Sequence, residues 1–249
     1  MSNTDNNARS IPAVHVRMKG YSAFFRNTAL ITGNQLTLPC PTYANLLGLL
    51  SACAGKTVCP TDTRIGFEFN HASEDEDLER TDRLALTEER LSKHRKGKGV
   101  LRRQVHFRPT LDLYLNNLAL AEAFRNPIGT PCLGRSQDLC WITKVEPVTL
   151  TPVASGRIGA TMIGRHNRVL DPTIPSEIVV TTEWFTNDLT GYTRAAQATG
   201  YYQVIGPDDI SNQCIQVTID NLHHPSNLPE GDVIYLHEWF ERKGKISEK

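Results

Sequence analysis

The chain is predicted to be α+β: a βαββαβ unit, ferredoxin-like or RRM-like, over residues 1–146, followed by a β-rich region over 147–249. Three observations carry this prediction. Four short segments alternate apolar and polar residues, as half-buried strands do. Two others place their apolar residues at helical spacing. Their order along the chain is strand, helix, strand, strand, helix, strand, which is the split unit.

The first strand is expected at 13–19, where Val14, Val16 and Met18 alternate with His15, Arg17 and Lys19, the latter three forming its wet face. Pro39 and Pro41 then break the chain, and Thr42 is placed to cap a helix over 43–54. Leu46, Leu49, Leu50 and Cys53 form that helix's apolar stripe, and Gly55 stops it. Ile65, Phe67 and Phe69 alternate in the second strand. A third strand is expected within 105–115, with Pro109 at a bulge or an edge. An Ala/Leu-rich helix over 116–125 ends at Asn126-Pro127, and the fourth strand follows over 138–145. In the second half, strands are expected at 177–184, 200–205, 214–219 and 232–236. A basic loop over 157–168 with His166 opens that half, and His223-His224 before Pro225 reads as a turn.

One element does not fit the simple unit. Residues 71–104 stand where a tight hairpin would join the second and third strands. An excursion of that length is usually functional or disordered. It is also where charge is sorted: eight acids and three bases lie in 74–90, while seven Lys or Arg, two His and no acid lie in 93–108. Lys96-Gly97-Lys98-Gly99 is expected to form a mobile basic tip that lets the backbone approach a polyanion.

The totals exclude several classes. A net charge of zero, from 27 basic and 27 acidic residues, argues against a lone binder of long nucleic acid. No apolar run approaches the roughly 18 residues of a membrane span. The polar start MSNTDNNARS lacks the apolar core of a signal peptide, so a cytoplasmic location is expected. Cys40, Cys53, Cys59, Cys132, Cys140 and Cys214 show no CxxC spacing and no paired His/Cys pattern. Neither a zinc site nor a disulfide framework is expected, and no cofactor is implied.

The stretch 129–139, GTPCLGRSQDL, is a glycine- and proline-broken loop leading from a helix into a strand. Phosphate-gripping loops run the other way, from strand to helix. The glycines therefore imply a backbone lying close to something else, with Arg135 and Ser136 placed to touch it.

Together, YSAFFR followed by PCPTYANLLGLLSACAG, the insertion before the third strand, and GTPCLGRSQDL entering the fourth resemble the Cas-five family of CRISPR-associated RAMP proteins, nearest the type I-B subgroup. The motifs cover the first 145 residues or so. The resemblance implies a non-catalytic subunit of a Cascade complex used in antiviral defence. It would cap the 5′ handle of the crRNA with a thumb at 71–104. Its partners would be the Cas-seven backbone subunit, the Cas-eight large subunit and, through the complex, target DNA near the PAM. RNA contact would fall to Arg26, Lys93, Arg95, Lys96, Lys98, Arg102 and Arg103, and to the loop residues Gly134, Arg135 and Ser136. Arginines suit this role because they both pair with phosphate and stack on bases.

Two other readings stand beside it. The type I-C subgroup cleaves precursor crRNA without metal, and Tyr43 with Lys93 and His94 lies at comparable positions. Such a set could supply a general base and stabilise phosphorane charge. A general RRM would need aromatic RNP patterns, which QVHFRPTLDLYL lacks. No convergent acid, base or metal-ligand set suggests a metabolic enzyme.

Overall fold

In the computed structural model, residues 9–27, 34–86, 90–164, 174–188, 193–208 and 215–239 are described. The first half runs β1 (Ile11–Gly20), β2 (Ser22–Ala23), β3 (Asn34–Gln35), α1 (Tyr43–Ala54), β4 (Ile65–Asn70), β5 (Ser73–Leu86), β6 (Leu91–Phe107), β7 (Thr110–Leu115), α2 (Leu120–Arg125) and β8 (Cys140–Pro152). The rest adds β9 (Gly156–Ile158), β10 (Thr161–Gly164), β11 (Glu177–Asp188), β12 (Thr193–Ile205), β13 (Gln216–Val217), β14 (Leu222–Pro225) and β15 (Asp232–Tyr235). The fold is mixed α/β and strand-rich.

Its centre is a sheet containing the order β8-β1-β7-β4, each neighbouring pair antiparallel. Alternation decides which side is dry. Val14, Val16 and Met18 of β1, Leu111, Leu113 and Leu115 of β7, and Ile65, Phe67 and Phe69 of β4 share one core with Leu46, Leu49 and Leu50 of α1 and Phe124 of α2. Thr42 caps α1 in a reciprocal capping box with Asn45, and Gly55 closes it in the left-handed region at φ 64°. α2 is shorter than expected because Asn116 and Asn117 are used otherwise. The Asn116 side chain accepts from Arg64 N at 2.7 Å, and that of Asn117 from Ala119 N at 3.0 Å, so the chain turns before it coils.

The opposite face of the sheet is not wet throughout. His15 is buried, with Nε2 2.6 Å from Asp112 Oδ1, and Arg17 grips the same carboxylate through Nε at 2.7 Å and Nη2 at 3.1 Å. Ile234 and Leu236 from the C-terminal region pack beside Tyr114 on this face. Burial alone would raise the Asp112 pKa, but the hydrogen bonds from His15 and Arg17 hold it below the ordinary aspartate value. A depressed carboxylate stabilises the fold above its unfolded pKa, near 3.9 for aspartate. That contribution disappears as pH falls through the lower folded value. The urea midpoint of the wild type is therefore expected to drop more steeply below about pH 4 than that of Asp112→Asn. Parallel pH profiles for the two proteins would contradict the role given to this carboxylate.

The division expected at 146/147 falls inside β8, which runs unbroken from Cys140 to Pro152. β14, β15, β9 and β13 continue the same 8-stranded sheet, so the second half extends the first. His223 and His224 sit in strand β14, paired with β8, and not in a turn. The basic loop expected at 157–168 contains β9 and β10, with 165–168 outside the described residues. β11 and β12 form a long hairpin that β10 joins; Cys214 lies outside the described residues. The third strand divides in two: β6 ends at Phe107, and β7 starts at Thr110 after a break at Arg108-Pro109.

The described residues of 71–104 belong to an antiparallel ribbon. β5 and β6 pair from Ser73↔Phe107 to Leu86↔Leu91. The ribbon is braced at its root, where β2 pairs with His106 and Phe107 and β3 with Arg102 and Arg103. The pairing extends outward as far as Leu86↔Leu91, so Lys96-Gly97-Lys98-Gly99 is not the tip. That stretch sits within β6 beside an irregularity in register at Asp82/Leu84, and Gly97 takes φ 60° there. Beyond the Glu79↔Leu101 pair, β5 runs seven residues to Leu86, about 23 Å of ribbon at about 3.3 Å per residue. No residue from 80 to 100 belongs to the buried core among the described residues.

Candidate nucleic-acid interface

The charge sorting seen in the sequence becomes a matter of register. The acidic strand β5 lies against the basic strand β6, so Asp77 faces Arg103 and Asp82 faces Lys98. Near the root this neutralises the arm internally. Arg103 is buried; its Nε donates to Glu79 Oε2 at 2.9 Å and its Nη1 to Gln35 Oε1. Its guanidinium lies 4.4 Å from the centroid of the Phe24 ring. Arg102 stays exposed, 3.9 Å from Glu76. Farther out the balance changes, with seven Lys or Arg against three acids between residues 80 and 100. Leu78 pairs with Arg102, Arg80 with Val100, Asp82 with Lys98 and Leu86 with Leu91, and all these side chains are exposed. The distal arm therefore presents aliphatic side chains interleaved with cations. Lys98 is among them; the side chains of Lys93, Arg95 and Lys96 lie outside the described residues. His94, half-buried on β6, takes part in a polar or ring interaction.

The loop over 129–139 lies close to the chain's own backbone. Phe24 N donates to Leu133 O at 3.1 Å, and a Cβ on Gly134 would stand 1.9 Å from Phe24 O. Gly134 also takes φ 112°. Its lack of a side chain is thus required by the YSAFFR segment packed beneath it. Arg135 is not a free tip either. It donates to both oxygens of buried Asp138, at 2.8 and 2.9 Å, and lies 3.3 Å from Asp77 and 3.6 Å from Glu79 on β5. Those hydrogen bonds push its pKa above the ordinary arginine value against the opposing effect of burial. Arg135 is a strut between loop and arm, and with Arg103 it brackets Phe24. Ser136 is exposed, as is Arg26, whose backbone bridges to Thr37.

Beside this strut lies a solvent-facing group that sequence reasoning missed. Tyr21 is 77% exposed and packs at 5.1 Å against Trp141, itself 43% exposed. Phe107 and Arg108 stand at the arm's root, and an open cleft of about 620 Å³ is lined by Tyr21, Ser22, Ala72, Ser73, Phe107 and Arg108. Arg108 is held at φ 50°, where bulky residues are rare, by its N–H donating to Tyr21 O at 3.0 Å. That kink swings the chain from the arm into β7. Exposed aromatic rings beside arginine are what unpaired bases stack on. The signal was in the sequence: Tyr21 opens YSAFFR, and Phe107-Arg108 precedes Pro109.

Tyr43 lies elsewhere, in the core. Its hydroxyl donates to Met162 O at 2.5 Å, its ring stacks on His237 at 3.8 Å, and burial pushes its pKa well up. No helix among the described residues is long and apolar enough to cross a membrane.

No family model matches the chain, and no curated protein does. Among solved structures it is similar to a chain of a CRISPR RNA-guided surveillance complex, at 16% identity over 87% of this chain and 92% of that one, with TM-score 0.47. It is also similar to a CRISPR protein from Archaeoglobus fulgidus, at 10% identity over 91% and 100%, with TM-score 0.45. A chain of the Type III-B Cmr-beta complex bound to cognate target RNA gives 11% identity over 89% and 98%, with TM-score 0.44.

Proposed function

We propose that this chain is a non-catalytic, crRNA-binding subunit of a type I CRISPR Cascade complex, of the Cas-five kind and nearest type I-B. On this reading β1, α1, β4, β7, α2 and β8 are the ferredoxin-like RAMP unit, the β5–β6 ribbon is the thumb, and residues 129–139 are the glycine-rich loop. The carrying observation is the juxtaposition of a bare, basic distal arm with the exposed Tyr21, Trp141, Phe107 and Arg108 at its root. Single-stranded RNA is held by backbone charge and by stacking. The root offers the stacking surface, and the distal arm offers cations and aliphatic side chains to RNA and to a neighbouring Cas-seven subunit. The Cas-eight large subunit and target DNA near the PAM would meet other faces of the assembly.

The buried pairing of Arg103 and Arg135 shifts their role in this reading. They set the angle of the arm, while Arg26, Lys98, Arg102 and Ser136 of the expected contacts stay exposed and Arg108 joins them. The burial of Tyr43 supports binding over cleavage, since a phenol bonded to a core carbonyl has no path to a phosphodiester.

Trp141→Ala and Phe107→Ala test the assignment. Each removes a partly exposed ring, so thermal stability is expected to change little, while affinity for a short single-stranded RNA handle falls by about 1–3 kcal/mol. Filter-binding or fluorescence titration measures this. Wild-type affinity in both variants would contradict the aromatic root as an RNA site.

A further inference from the structure

At the arm's root, opposite strands bring His71, Glu74 and His106 together, with ligand atoms all within 4.8 Å of one another. Glu74 and His106 are direct cross-strand partners on β5 and β6, and His71 leads into β5. His106 is fully buried, and its Nε2 donates to Leu38 O at 2.8 Å. A neutral His106 then carries its one proton on Nε2, and Nδ1 presents a lone pair. That lone pair faces Glu74 Oε1 at 2.9 Å. Two acceptors at this distance need a proton or a metal ion between them. The other Glu74 oxygen accepts from Gln104 Nε2 at 2.6 Å, which fixes the carboxylate with Oε1 turned inward.

His71 adds the third group. Its side chain is 4% exposed, and both ring nitrogens are buried without a hydrogen-bond partner; Nε2 lies 3.5 Å from Glu74 Oε1. The pattern of one ring nitrogen facing the ligand group while the other donates to a backbone carbonyl is that of a metal-bound histidine. An open cleft of about 470 Å³, walled by His71 and Glu74 with Glu68 and Asp208, gives a solvated, acidic approach.

We propose that His71, Glu74 and His106 bind one zinc-class divalent ion that clamps β5 to β6 at the root of the arm. Zinc favours this set of two imidazoles and one carboxylate, with solvent from the cleft completing four-coordination. Bonds of about 2.0–2.2 Å in a tetrahedron place ligand atoms roughly 3.3 Å apart. The two pairs involving Glu74 are already near that spacing, and binding draws the His71 ring toward His106. Cysteine and His/Cys spacings hold no trace of this set, which is a histidine and glutamate three apart joined by a histidine thirty-two residues on.

Calorimetric titration of the EDTA-treated full chain with Zn²⁺, with X-ray absorption on the loaded protein, tests the site. Expected are one ion per chain, a first shell of nitrogen and oxygen, and at least a tenfold loss of affinity in both Glu74→Gln and His71→Ala. Glu74→Gln is nearly isosteric, so its fold can be checked by circular dichroism beside the wild type. Absence of saturable uptake, affinity unchanged in either folded variant, or sulfur at about 2.3 Å from the metal would overturn the proposal.

Discussion

Gly134→Ala is expected to destabilise the protein by roughly 3 kcal/mol or more, the range of mutations that force backbone strain. The added Cβ would stand 1.9 Å from Phe24 O, a distance at which something must move. The obstacle is backbone, itself pinned by the Phe24 N to Leu133 O hydrogen bond, so no side chain can swing aside. The φ of 112° adds strain for any L residue. Relief would require lifting the 129–139 loop, and that pulls Arg135 from Asp77 and Glu79 and wholly buried Asp138 from the Ser22 hydroxyl that donates to it at 2.6 Å. Urea unfolding measures the loss. A Gly134→Ala protein within 0.5 kcal/mol of wild type, the usual range of neutral surface changes, would mean that the loop is not locked onto Phe24.

Much of this architecture was legible because local physics is strong where a core face repeats. The alternation of Val14, Val16 and Met18, and of Ile65, Phe67 and Phe69, reports strands packed on one side. Thr42 and Gly55 mark both ends of α1 because caps satisfy backbone groups the helix cannot. The loop and the arm were less legible, since their residues are explained by distant partners. The glycine at 134 answers to Phe24, and Arg103 and Arg135 answer to acids on β5 that composition alone counted as a separate patch. His15 read as wet because its strand alternates, yet Asp112 and residues from the C-terminal region enclose it. Tyr21 and Trp141 are adjacent only in space, so no window of sequence holds both.

Removing the distal arm is expected to have the largest functional effect. Glu79 and Leu101 are cross-strand partners, so residues 80–100 can be replaced by an Asn-Gly turn that suits a two-residue hairpin. The shortened protein keeps the bracing of β6 by β2 and β3, the Arg103 and Arg135 struts, and every described core residue. Its stability should therefore stay close to wild type. What it loses is the segment in which bases outnumber acids and leucines face solvent. An isolated two-stranded ribbon of that length is marginal in water, which argues that its bare face is completed by something it docks on. The direct measurement is affinity purification of tagged wild-type and shortened protein from cells carrying the native assembly, with sequencing of the RNA that elutes. The wild type should bring down short RNAs sharing one fixed 5′ end. The shortened protein, though folded, should recover roughly tenfold less of them, because several phosphate contacts vanish together. Equal recovery of the same RNAs by both proteins would contradict the arm as the docking element.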